Sequence, residues 1–310
     1  MTETLRTPTA AVRPAAGTSA AGPTRVVPAR RRRPGAARRI PLHVFLIAIC
    51  AIWVVPLVGL IVYSLRTIAD SAVSGWWHAF TAPLFTITNY TSAWTTGGIG
   101  QALGNSILIA VPTTVITITV CAIGAYTLAR MKFRGRIVVL TIAVALLVVP
   151  PQLTLVPLLR VFNVLHLTGH IPGVWVYQVG FVVPFGIYLL FGFFRAFPDE
   201  LIEAASLDGA SVPRIFFSIV LPTATPILIA LAIIQFMWSW NDLLIPLLFL
   251  GGGASVAPTT VQIAGLVQST GGGLNLLTAA AIVSMIIPVI VTVVLQRYFV
   301  RGILGGAVKG

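Results

Sequence analysis

Four of the seven acidic residues of this chain lie within ten positions, at Asp199, Glu200, Glu203 and Asp208. They belong to a stretch that continues from residue 203 as EAASLDGASVPRIFFSIVLP. Carboxylates are costly to bury in an apolar protein unless they are paired. Their concentration at one place therefore indicates a polar surface, and the chemistry it suggests is recognition of a partner.

The turn signals around these acids predict two short helices. Pro198 followed by acids favours a helix start, because proline fits the first turn and negative charge suits the N-terminal end of the helix dipole. Gly209 fits the end of that helix, since glycine accepts a positive φ. Ser211 and Pro213 favour a second helix start. We predict a helix, a sharp turn and a second helix over residues 198–222.

This predicted pair of helices has the composition of a docking surface. Ala204, Ala205 and Gly209 are small and let another surface approach closely. Two short helices cannot cover all of their apolar side chains, which are Leu201, Ile202, Leu207, Phe216 and Phe217. Exposed apolar patches usually mark a binding partner. We therefore predict docking of a partner here, and an ordinary loop along the lipid headgroups is the alternative.

Catalytic and metal-binding patterns are absent from the sequence. It contains no G-x-x-x-x-G-K-[ST], no H-E-x-x-H and no G-x-S-x-G. His166 and His170 are four residues apart, which suits a metal on a helix, but Gly169 and Pro172 favour a loop there. The absence of these patterns disfavours a membrane enzyme. We predict that the chain is not an enzyme and that it binds no metal or cofactor itself.

Asp242 is the one carboxylate within a long apolar run, and an acid in such a place is a functional candidate. It could line a solute path, or carry protons in a stand-alone proton-coupled transporter. In the structural alternative it caps backbone donors at a helix break with Pro246. The candidates for a solute path, including a glutamine that follows a proline break, are Gln152, Gln235, Trp238, Asn241 and Asp242.

The composition of the whole chain indicates a membrane protein. Its 310 residues are 57% hydrophobic and only 9% charged, whereas about a quarter of a soluble domain is charged. Much of the net charge of +13 lies in residues 1–39, which carry nine Arg and one Glu. Arginines beside a membrane span set its orientation and touch anionic lipid, so nucleic-acid binding is disfavoured. We predict that this basic tail is disordered.

Six apolar segments are long enough to cross a bilayer as helices, which takes about 20 residues. They do not alternate as barrel strands do, so the predicted fold class is an all-α membrane protein. Residues 1–39 form its tail and residues 40–310 its six-helix domain. The predicted spans are 42–65, 105–129, 137–159, 174–194, 223–250 and 276–296.

The basic residues predict the orientation of these spans. With the N-terminus inside, 18 of the 20 Lys and Arg residues lie on the inner side, and only Arg66 and Arg160 lie outside. Such a bias is the positive-inside pattern. Both termini and the segment 198–222 are then cytoplasmic, and the uncharged loop 251–275 is external.

The spacing of the acidic stretch resembles a known signature. It resembles the EAA motif of permease subunits of ABC importers. The matching pattern is Glu203-Ala204-Ala205, three residues, Gly209, nine residues, Ile219, one residue and Leu221-Pro222. Further segments resemble the carbohydrate-uptake branch, the MalG-like permeases that depend on a binding protein. They are Asn105-Ser106, AYTLAR at 125–130, Trp240-Asn241-Asp242 and QRYFVRG at 296–302.

This resemblance implies a function and a set of partners. The EAA loop of such permeases forms coupling helices that sit in a cleft of an ATP-binding subunit, and the residues that match are Glu203, Ala204, Ala205, Asp208 and Gly209. Two permease subunits and two ATPase subunits form the transporter in a bacterial cell membrane. ATP and Mg²⁺ are bound by the ATPases, and an external protein delivers the sugar.

The resemblance also gives the external loop 251–275 a role. In MalG-like permeases the corresponding loop reaches into the binding protein and helps release the sugar, which Gln262 and Gln268 would do here. Glycine triplets flank this loop and make the chain flexible there. The alternative is therefore that the loop is only a flexible connector.

Overall fold

A computed structural model describes the backbone of residues 36–253, 255–269 and 273–307. Most of the basic tail lies outside these residues, so its disorder stays a prediction. The described part is helical and contains no strand, apart from an isolated bridge between Arg66 and Phe85. The predicted all-α class is confirmed for this part of the chain.

Fourteen helices are assigned within the described residues, together with a 3₁₀ helix at Trp76–Phe80 and a π-helical turn at Phe216–Val220. They are α1 (Ala36–Ser64), α2 (Ile68–Val73), α3 (Thr88–Trp94), α4 (Ile99–Arg130), α5 (Arg136–Leu146), α6 (Pro151–Val164), α7 (Ile171–Arg195), α8 (Asp199–Leu207), α9 (Val212–Ile215), α10 (Leu221–Thr223), α11 (Thr225–Asn241), α12 (Leu244–Leu250), α13 (Thr259–Ser269) and α14 (Leu274–Ala307).

The described residues divide into two units, with the boundary between Ile52 and Trp53. The described part of the first unit is the beginning of α1, where every side chain from Ile40 to Ile52 is exposed and most are apolar. A helix that is apolar on all sides suits a lipid environment. The remaining helices belong to the second unit.

Four of the described helices are long and apolar enough to cross a membrane. They correspond to the first, second, fourth and sixth predicted spans, and they cover Ile40–Ser64, Ile99–Arg130, Ile171–Arg195 and Leu274–Arg297. Two further pairs of helices pass the same test only as bent spans. By length and composition, the described chain therefore has four helices that are able to cross a membrane, or up to six if each bent pair is one span.

The third and fifth predicted spans differ from continuous helices. In the third, α5 and α6 meet at 108°. Pro150 and Pro151 lie at this break, and because proline has no N–H they cannot continue the hydrogen bonds of α5. The fifth span is preceded by a 75° bend between Val212–Thr223 and α11. It ends early, because Asp242 is in an extended conformation after Asn241.

The core of the second unit lies where α4, α7 and α11 pack together. Gly186 of α7 faces Cys121 of α4 so closely that an added Cβ would lie 2.4 Å from the Cys121 sulfur. Leu231 of α11 is fully buried beside them. These closely packed helices carry or adjoin the polar and acidic residues described below, and they fix the positions of those residues.

Candidate functional site

The acidic loop, residues 198–222, forms the helix–turn–helix that its sequence predicts. Helix α8 starts directly after Pro198. The turn contains Gly209 at φ +79°, which confirms the predicted left-handed position. Its N–H donates to the Ser206 carbonyl at 3.1 Å, and Ser211 then precedes α9. The Ser211 side chain makes no capping bond, although its carbonyl accepts from the Ile215 N–H at 2.9 Å, and Pro213 lies in the first turn of α9 as predicted.

One side of the acidic loop is anchored in the protein. Ile215 and Phe216 are buried. The Phe216 ring lies 4.7 Å from Tyr126 of α4, and Tyr126 contacts Phe194 of α7 edge-on at 5.8 Å. This aromatic cluster attaches the π-helical turn that follows α9 to the ends of two long helices. A displacement of the loop would therefore be transmitted to α4 and α7.

Arg130, the last residue of α4, holds the start of the loop. Its Nε donates to the Phe194 carbonyl at 2.7 Å, and its Nη2 donates to the Phe197 carbonyl. Its Nη1 forms an ion pair with Asp199 at the first turn of α8. The guanidinium group thus joins α4, the C-terminal end of α7 and α8, where the free carbonyls of α7 favour a positive charge.

The other side of the acidic loop is free in this chain. Glu203 and Ala204 are exposed, and Leu207 is 89% exposed. Glu200, Glu203 and Asp208 form no ion pair among the described residues. The loop therefore presents a negative surface with apolar side chains in it, on a base that is fixed to the helices.

A second candidate site is a cavity of about 400 Å³ between the start of α6, the middle of α7 and the end of α11. We call it the polar pocket. The structure brings the predicted solute-path candidates together here, although they come from separate helices. Its lining includes Gln152, Gln235, Trp238, Asn241 and Asp242.

Hydrogen bonds fix the carboxylate of Asp242 at the edge of the polar pocket. Gln178 Nε2 donates to Asp242 Oδ2 at 2.9 Å, and the backbone N–H of Ile245 donates to Oδ1 at 3.2 Å. Ser239 Oγ in turn donates to Gln178 Oε1 at 2.7 Å. Asp242 therefore caps the chain after α11, as the structural alternative predicts, and at the same time faces the cavity.

The other predicted residues of the polar pocket have different surroundings. Gln235 is 1% exposed, and its Oε1 has no hydrogen-bond partner within the described part of the chain. Trp238 is 54% exposed, with its ring 6.4 Å from Phe185. Asn241 donates to the Met237 carbonyl of its own helix, and Gln152 is exposed on the lining. A buried polar group and an exposed aromatic ring thus share one cavity.

The sequence pointed to neither Gln178 nor Ser239, although both are central to the polar pocket. Gln178 is the only amide side chain in α7, and a lone amide in an apolar helix is a usable signal. Ser239 carries little signal, because a small hydroxyl in a membrane helix commonly bonds to its own backbone. Arg130 was part of a matching segment, but its contacts with residues 64 to 69 positions away were not foreseen.

The loop 251–275 contains helix α13, which is tied to α4. Asn105 donates to the Ala257 carbonyl at 3.0 Å, and Ser106 is hydrogen-bonded to Thr259 at 3.0 Å. Gln262 Nε2 donates to the Gly97 carbonyl at 2.9 Å, so this side chain is held within the chain. The backbone of Gln268 belongs to α13, and its side chain lies outside the described residues.

His166 and His170 lie in the connection between α6 and α7, as predicted, with His166 at φ +55°. Among the described residues no group of three or more His, Cys, Asp or Glu side chains is arranged to hold a metal.

Comparison with known proteins identifies relatives of this chain. It is 46% identical over 276 residues to the osmoprotective compounds uptake permease protein GgtD of Synechocystis, which covers 88% of this chain and 93% of that protein. It is 44% identical over 237 residues to the alpha-glucoside transport system permease protein AglG of Rhizobium meliloti, covering 75% of this chain and 62% of that protein.

A solved structure and a family model also match this chain. A crystal structure of a bacterial ABC transporter involved in the import of the acidic polysaccharide alginate contains a chain of the same fold, with a TM-score of 0.72. The two are 22% identical, and the match covers 86% of this chain and 99% of the other. Residues 118–305 match the binding-protein-dependent transport system inner membrane component family. The chain therefore belongs to this family of transport permeases.

Proposed function

We propose that this chain is a membrane-spanning permease subunit of an ATP-driven importer for a sugar that an external binding protein delivers. Membership of a binding-protein-dependent family supports the role of the external protein. The names of relatives that carry alpha-glucosides, trehalose or melibiose support a sugar as the solute. The chain lies in the bacterial cell membrane with both termini in the cytoplasm.

The observation that carries this proposal is the construction of the acidic loop. Its exposed side combines free carboxylates, the small residue Ala204 and the exposed Leu207, which suits insertion into a cleft of another protein. Its inner side is fixed to α4 and α7 by Arg130 and the ring of Phe216. A partner that moves the loop will therefore move the membrane helices with it.

The loop's partner is an ATP-binding subunit, which holds ATP and Mg²⁺ and closes on a second copy. In the complete transporter, two ATPases face this chain and a second permease subunit. Closure of the ATPases draws the coupling helices together, and the membrane helices change from inward-open to outward-open. Glu203, Ala204, Ala205, Asp208 and Gly209 form the contact with the ATPase.

The polar pocket lies on the path of the solute. Its five predicted residues share one cavity, which supports this assignment. The external loop 251–275 contacts the binding protein. Because Gln262 is bonded to the Gly97 carbonyl, it supports the shape of the loop, and Gln268 is the residue we assign to the contact.

Reconstitution tests the function against its alternative, a proton-coupled transporter that uses Asp242. Family membership disfavours this alternative, since it needs no partner subunits. We expect the chain to co-purify with two ATPase subunits and a second permease. In proteoliposomes, sugar uptake should require the binding protein and ATP, and should persist when an ionophore abolishes the proton gradient. Uptake by the chain alone, driven by a proton gradient, would contradict the proposal.

A further inference from the structure

The polar pocket contains a buried acceptor with no donor. Gln235 Oε1 has no partner among the described residues, and the side chain is 1% exposed. Buried polar atoms in proteins are almost always hydrogen-bonded, so an exception beside a cavity needs an explanation. A ligand that supplies a hydroxyl group to the pocket would provide the missing donor.

Asp242 adds further acceptor capacity to the lining of the same cavity. Its carboxylate oxygens accept bonds from Gln178 and from the Ile245 N–H, and the Leu244 N–H also interacts with them. A carboxylate has about four lone-pair sites, so at least one is left for another donor. The bonds from the protein thus leave acceptor positions open and hold the carboxylate in place for a hydroxylated ligand.

The charge of the pocket favours one class of ligand. Within the described part of the chain, Asp242 is the only charged residue on the lining, which has no Lys or Arg. The remaining walls are largely apolar, with Leu155, Phe181 and Ile245 among them. Because charges in apolar surroundings are weakly screened, a negative group on the ligand would be repelled strongly.

Size and shape are consistent with a small sugar. The cavity of about 400 Å³ lies within the usual range of roughly 300 to 1,000 Å³ for small-molecule sites. Trp238, which is 54% exposed on the lining, offers a flat aromatic face on which the apolar side of a sugar ring can pack. The pocket therefore combines an aromatic platform with hydrogen-bond acceptors.

We propose that the polar pocket is a binding site for a neutral, hydroxylated sugar, and that Asp242 makes it reject acidic sugars. The inference rests on the proposed function and adds the ligand class and its selectivity. Asp242 and Gln235 accept bonds from sugar hydroxyls. Gln178 is a positioning residue: its amide oxygen accepts from Ser239, which directs the amide nitrogen toward Asp242.

Uptake measurements on the complete transporter test the selectivity. The probes are the neutral disaccharides maltose, trehalose and melibiose, and the acidic disaccharide digalacturonate, each supplied to proteoliposomes with internal ATP. We expect the transporter to accumulate at least one neutral sugar and not digalacturonate. The Asp242→Asn variant should take up that neutral sugar at least tenfold more slowly and discriminate less against digalacturonate. Asp70→Asn, which removes a charge outside the pocket, should leave the selectivity unchanged.

The variant Gln235→Leu separates binding from stability. It replaces the amide, whose oxygen has no partner, by an apolar side chain of similar size. The thermal midpoint of the complex should therefore stay the same or rise. If the oxygen binds sugar, uptake should nevertheless fall several-fold. Gln178→Leu should also reduce uptake, through a higher KM for the sugar.

Several results would overturn the inference. One is uptake of digalacturonate by the unmodified transporter that equals its uptake of the neutral sugar. Another is unchanged uptake of the neutral sugar in both Asp242→Asn and Gln235→Leu. Absence of uptake of all the neutral probes, with ATP hydrolysis intact, would also contradict it. Failure of the proposed function looks different, because uptake would then be independent of ATP and of the ATPase subunits.

Discussion

Replacement of Arg130 by Met should uncouple ATP hydrolysis from transport, because this residue joins the acidic loop to two membrane helices. Methionine keeps a long side chain of similar reach and removes the three donors. The carbonyls of Phe194 and Phe197 and the carboxylate of Asp199 lose the guanidinium as a donor, and the Phe194 carbonyl keeps a long bond of 3.4 Å from the Phe197 N–H. The aromatic contacts of Phe216 remain, so we expect the loop to stay folded but to be held less tightly.

The magnitude follows from the three contacts. Hydrogen bonds from a charged donor contribute about 1.5–3 kcal/mol each, so the two carbonyl bonds together are worth about 3–6 kcal/mol. The Asp199 carboxylate is 76% exposed, and such an ion pair contributes less than about 1 kcal/mol. A loss of about 3 kcal/mol shifts the equilibrium between the held and released C-terminal end of α7, which leads directly into α8, by on the order of a hundredfold. Asp199→Asn, the matched control, should have a small effect.

The assay is the number of sugar molecules transported per ATP hydrolysed, in proteoliposomes with the complete transporter. For Arg130→Met this ratio should fall by at least tenfold while the chain still inserts and assembles. Arg130→Lys should be intermediate, since one ammonium group cannot reproduce the fork of the guanidinium. A normal ratio in Arg130→Met would refute the role of these contacts. An equal loss in Asp199→Asn would instead place the effect in the ion pair.

Two further changes test the packing that supports the sites. Gly186→Ala should destabilise the detergent-solubilised complex by about 1–3 kcal/mol and lower its thermal midpoint, because the added Cβ would meet the Cys121 sulfur at 2.4 Å. Gly192→Ala, on the same helix with open space around it, should leave the midpoint unchanged. Equal midpoints for the two variants would contradict the packing. Asn275→Leu should cost about 3 kcal/mol, since the buried amide donates to the Tyr63 and Arg66 carbonyls and to Ser71; an unchanged unfolding midpoint would show that these bonds contribute little.

The sequence predicts the local structure of the acidic loop well, because caps and turns depend on neighbouring residues. Pro198 and Gly209 bound α8 as expected. The proline pair at residues 150–151 predicted a break, yet its angle of 108° depends on packing against other helices and could not be derived.

The solute-path candidates were found from their polarity, but their neighbours required the fold. Asp242 and Gln235 are conspicuous in an apolar run. Their grouping with Gln152 and Gln178 in one cavity follows from the packing of α6, α7 and α11, which no local pattern encodes. The same holds for Arg130, whose carbonyl partners come from a different helix.

The central claim is that the acidic loop couples this chain to an ATPase, and Gly209→Val tests it most directly. Gly209 at φ +79° and Gly169 at φ +81° are both exposed, with nothing within 4 Å of an added Cβ, so valine causes the same backbone strain at either position. Gly169 lies in the connection between α6 and α7, at the other end of α7 from the acidic loop. We predict that Gly209→Val loses ATP-driven uptake while inserting normally, and that Gly169→Val keeps it. Equal uptake by the two variants would contradict the claim.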